Sequence, residues 1–104
     1  EELYTDLEEK IDEIAERIVI LGGTPVDSYA SYLDVSDIKE DLNIRDGRHA
    51  VKGIADSLKT ILVKERELLA LSDGVGDEGT NALMSGYISE QEKQIWMYNA
   101  FLNN

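Results

Sequence analysis

Three stretches of this 104-residue chain repeat their apolar residues every three or four positions, and none alternates them convincingly every second position. Such a chain can bury its hydrophobic surface only as amphipathic helices. The first stretch runs from Glu2 to Leu21, with Leu3, Leu7, Ile11, Ile14, Ala15, Ile18 and Leu21 in helical register. Gly22-Gly23 stop it and Pro25 fixes the exit. The second opens at Asp46-Gly47 and carries Val51, Ile54, Ala55, Leu58, Ile61, Leu62, Glu65, Leu68 and Leu69 on one stripe. At about 26 residues it would span roughly 39 Å. The third repeats Leu83, Met84, Tyr87, Ile88, Gln91, Ile95, Tyr98, Phe101 and Leu102.

The connections are read from their cap and breaker residues. Between the first two long helices, Asp27 or Ser28 is positioned to cap a short helix over Tyr29 to Leu33, and Ser36 to cap another over Asp37 to Leu42. Between the last two, Ser72-Asp73-Gly74-Val75-Gly76-Asp77-Glu78-Gly79 reads as an acidic loop punctuated by glycine. The fold class predicted is an all-α antiparallel bundle. Three such helices leave an apolar seam that a fourth helix or another subunit is expected to cover. The first helix is in register from its first turn with no capping residue ahead of it, so the expectation is a chain that begins inside a helix.

Charge and composition narrow the chemistry. With 22 acidic against 10 basic residues the formal charge is -12, which repels phosphate backbones and membrane surfaces and attracts cations and basic partners. The absence of cysteine removes disulfides, thiolate metal sites and thiol nucleophiles. No apolar run approaches the about 20 residues needed to span a bilayer, so the expectation is a soluble protein. One histidine, His49, offers no Ser-His-Asp set, and it reads as a capping or surface residue. Trp96 and Met97 read as core or interface packing. Lys10, Arg17, Lys39, Lys52, Lys59 and Lys93 are interspersed with acids and read as surface charge. The glycine-punctuated loop lacks both the lysine of a phosphate-binding loop and the pattern of an EF-hand.

Asp12 and Glu16 stand out among the acids of the first helix. Four residues apart, they project from consecutive turns of one face, close enough to share a metal ion, although Glu8, Glu9 and Glu13 make a merely solvated acidic face the plain alternative.

Three pieces then occur in one order: Asp12-Glu13-Ile14-Ala15-Glu16-Arg17-Ile18 with Leu21-Gly22-Gly23-Thr24-Pro25; the turn from Ser72 through Gly79 to Thr80-Asn81; and Glu92-Lys93-Gln94-Ile95-Trp96-Met97. Together, from Glu1 to Leu102, they resemble the Dps family, the ferritin-like mini-ferritins of bacteria. The resemblance implies a ferritin-like four-helix bundle whose first helix is missing from this chain, with a short helix between the second and third. It makes residues 1–104 a single ferritin-like domain, incomplete at its N-terminus. It also implies a homo-oligomeric shell of twelve subunits in the bacterial cytoplasm.

In that family a di-iron ferroxidase site lies between two subunits, and Asp12 and Glu16 match the acid pair that one subunit contributes. Glu1 falls where the family usually has an aspartate, on the side that also supplies histidines, and those histidines lie upstream of this chain. The implied activity is oxidation of Fe(II) with hydrogen peroxide and storage of the Fe(III) mineral, protecting against oxidative damage. Acids at the start of the fourth helix ring cation-entry pores in the family; Asp73 and Glu78 match such positions, and a third is Ala82 here. The alternative is a nucleoid-protecting shell with a degenerate iron site. DNA binding in the family usually depends on a lysine-rich tail that this sequence does not contain.

Overall fold

The computed structural model describes residues 2–26, 28–39 and 46–103. Among them are four helices and no strand: α1 (Glu2–Ile20), α2 (Tyr29–Val35), α3 (Gly47–Gly74) and α4 (Glu78–Leu102). The described residues are all-α, with the three long helices that the periodicity predicts and, in the connection after the first, one short helix where the cap residues suggest two. The chain divides into two compact units, Glu1–Ser36 and Asp37–Asn104.

In the first unit, α1 ends through hydrogen bonds that only a left-handed residue permits. Gly22, at φ +91, donates its N–H to the Val19 carbonyl at 3.0 Å, and Gly23 donates to the Ile18 carbonyl at 2.8 Å. This double closure satisfies carbonyls that the last helical turn leaves unpaired. Lys10 corrects the sequence reading of a surface charge: it is only 6% exposed, and its ammonium donates to both carboxylate oxygens of Asp6 at 2.8 Å. An acid one turn N-terminal to a lysine is the favoured order for such a helical pair. Ile11 and Ile14 of the α1 stripe remain exposed, as do Val19 and Ile20 off the stripe and Leu21 just after the helix, so apolar surface is left uncovered here in the single chain.

Ser28 caps α2, accepting the Ser31 N–H at 3.2 Å. The competing cap, Asp27, lies outside the described residues. Ser36 also departs from expectation. Its backbone N–H donates to the Tyr32 carbonyl and closes α2, and residues 37–39 are not helical; the rest of the helix expected there lies outside the described residues.

In the second unit, α3 and α4 pack as an antiparallel pair fastened at three heights. Arg48 at the start of α3 donates to the Leu102 carbonyl at the end of α4. Arg66 pairs with Glu92 at 2.8 Å, and Asn81 donates its side-chain amide to the Leu69 carbonyl at 3.1 Å. Between these ties lies the core: Ala55, Leu58 and Leu62 of α3 and Met84 and Tyr87 of α4 are buried. Each of the larger side chains contributes about 1.5–3 kcal/mol by leaving water. Asp46 caps α3 by accepting the His49 N–H at 2.9 Å, so the partly buried His49 is a capped residue of the first turn rather than the capping one.

The acidic loop is shorter than its glycines suggest. Ser72, Asp73 and Gly74 complete α3, while Glu78 and Gly79 already belong to α4, leaving Val75, Gly76 and Asp77 as the turn. Gly76 has φ +73. Buried Ser72 donates its hydroxyl to the Leu69 carbonyl at 3.0 Å and accepts the Asp77 N–H on its own carbonyl at 2.8 Å. Asp77 then caps α4 through the Thr80 N–H at 3.1 Å and the Thr80 hydroxyl at 2.6 Å. Trp96 and Met97 do not enter the core of this chain, both being exposed on the outside of α4.

Candidate metal centre

Asp12 and Glu16 lie within α1, two turns or more from its start and one turn before its glycine stop. The helical rise separates them by about 6 Å along the axis and sets them on one face. Both are exposed, and among the described residues neither is engaged in an ion pair. Their oxygens are therefore open to a ligand from outside. Carboxylates are hard donors of the kind that Fe(II) and other divalent cations accept, and a rigid helix holds the two together before any ligand arrives.

The rest of α1 strengthens the local field. Glu8, Glu9 and Glu13 are also exposed on this helix, which makes its surface strongly negative. A shallow groove of about 360 Å³ lined by Glu2, Thr5, Asp6 and Glu9 opens nearer its start and does not include the pair. Among the described residues, no three His, Cys, Asp or Glu side chains come together as a metal-ligating group. The described residues thus place two carboxylates here rather than a complete ligand set. Glu1, the third candidate, lies outside the described residues.

Asp73 and Glu78 flank the tight turn between α3 and α4 and are both exposed. The capping network of Ser72, Asp77 and Thr80 presents both acids at the same end of the helix pair. Exposed Ala82 follows one turn after Glu78 and adds no charge. This group has two carboxylates at a surface and no second donor type.

Two buried polar residues were not singled out as functional by their spacing. Glu65 and Gln91 fall in the apolar stripes of α3 and α4, and both are buried there. The signal lay in the sequence: a polar residue at a stripe position is placed where it must find a buried partner.

A ferritin-like domain model matches residues 1–104, the whole chain. Over 101 residues the chain is 42% identical to a DNA protection during starvation protein of Porphyromonas gingivalis, covering 97% of this chain and 64% of that protein. It is 39% identical to DNA protection during starvation protein 2 of Bacillus anthracis, covering 99% of this chain and 70% of that one. The structure of a DPS protein from Vibrio cholerae O1 superposes with a TM-score of 0.94 at 50% identity, over 97% of this chain and 64% of that chain. That protein is described as a member of a broad superfamily of ferritin-like diiron-carboxylate proteins. The chain spans a little under two thirds of the Porphyromonas and Vibrio proteins.

Proposed function

Because the chain belongs to the Dps family of ferritin-like proteins, we propose that it contributes Asp12 and Glu16 to an intersubunit site that binds and oxidises Fe(II), and that the ferric product is stored inside a shell built from copies of the chain. The observation that carries this reading is the acid pair itself: two exposed carboxylates, one turn apart on a rigid helix, with no complete ligand set around them among the described residues. Half a site on each of two surfaces is what a shared centre requires. The uncovered apolar residues of α1 support association, since Ile11 and Ile14 lie beside the pair and are exposed in the single chain.

Iron is the substrate here. The two carboxylates would hold Fe(II) in place and favour the more highly charged product electrostatically. With hydrogen peroxide as oxidant, one electron leaves each of two Fe(II) ions, the O–O bond breaks, and two protons complete two waters. Glu1 would act from the partner side, together with histidines from beyond this sequence. Asp73 and Glu78 would draw cations toward a pore, and the charge of -12 per chain suits an acid-lined store. We infer one ferritin-like domain over residues 1–104, in a homo-oligomer of twelve in the bacterial cytoplasm. No helix among the described residues is long and apolar enough to cross a membrane.

The names of the Porphyromonas and Bacillus relatives speak of DNA protection during starvation and support a second reading, protection of DNA, in which the iron site would be degenerate. It requires basic residues outside this sequence, because a surface at -12 repels phosphate. The test between them is the rate of Fe(II) oxidation in the Asp12→Ala, Glu16→Ala double variant. A rate reduced to that of Fe(II) in buffer supports the iron site, and an unchanged rate overturns it.

A further inference from the structure

We draw no further inference here: the strongest candidate, the cavity of about 480 Å³ between the start of α3 and the end of α4 lined by Asp46, Arg48, His49, Lys52 and Leu102, rests on a helix N-terminus whose cations are already engaged, Arg48 by the Leu102 carbonyl and Lys52 by Asp56, with no second feature among the described residues that points to a ligand.

Discussion

Gln91 of α4 donates its side-chain amide to both carboxylate oxygens of Glu65 of α3, at 2.6 and 3.1 Å, in a pair that is 1% and 6% exposed. The amide is oriented by chemistry, since the opposite orientation would press its oxygen against a carboxylate. The contact crosses the helix pair about one turn from the buried Tyr87 and Leu62. Gln91→Leu would keep the volume and remove the donor, leaving a buried carboxylate short of a partner. It should cost about 1.5–3 kcal/mol, read as a lower denaturant midpoint at unchanged slope. An unchanged midpoint would show that the pair contributes nothing.

The turn between α3 and α4 makes a glycine prediction with a built-in contrast. Gly76 sits at φ +73 in open space, so an alanine there meets no neighbour but must adopt a left-handed backbone. Gly76→Ala should destabilise by about 1–2 kcal/mol. Gly86 is helical, and a Cβ there also meets nothing within 4 Å. Gly86→Ala should stabilise by about 0.5–1 kcal/mol. Thermal unfolding of the two variants should move in opposite directions.

Asp46 takes the His49 N–H at the start of α3. Asp46→Ala should cost about 1 kcal/mol, whereas Asp46→Asn or Asp46→Ser should cost much less because each still offers a capping oxygen. Equal losses in all three would contradict a capping role.

Lys64 donates to Asp37, and this bond, with the lysine charge, holds the Asp37 carboxyl below its ordinary 3.8 and raises Lys64 above its ordinary 10.5. A carboxylate depressed in the folded state contributes its stability above the ordinary carboxylate value, and that contribution is lost as pH falls through the depressed one. On the lysine side it is present below 10.5 and lost as pH rises through the raised value. Both side chains are well exposed, so the effect is local. Carboxyl-carbon NMR should show Asp37 titrating low in the native chain and returning upward in Lys64→Met; identical curves would refute the tie.

The sequence was most legible where one physical rule acts alone. Spacing of three and four reveals α3 and α4 because Leu58, Leu62, Met84 and Tyr87 are the residues that meet in their core. It misplaces the turn because Gly74 and Gly79 look like breakers yet sit in terminal helical turns, where fewer hydrogen bonds depend on them. Ser36 looks like an N-cap before Asp37, but its N–H is needed to close α2. Lys10 looks like any surface lysine, because burial of a charged residue is set by what folds around it and leaves no mark in the local pattern. The candidate site is legible only as far as spacing reaches: Asp12 and Glu16 share a helix face, while among the described residues no third donor joins them, and spacing within one helix carries no information on groups that would come from elsewhere.

The most direct test of the central claim is the initial rate of Fe(II) oxidation by hydrogen peroxide in the full-length protein and in its Asp12→Ala, Glu16→Ala variant, with assembly checked by sizing. Loss of outer-shell partners of a metal site already costs about 10–100-fold, so loss of the ligands themselves should slow oxidation by roughly 100-fold or more, to the rate in buffer, in a shell of unchanged size. Oxidation at the native rate in a correctly assembled double variant would contradict an iron site at Asp12 and Glu16.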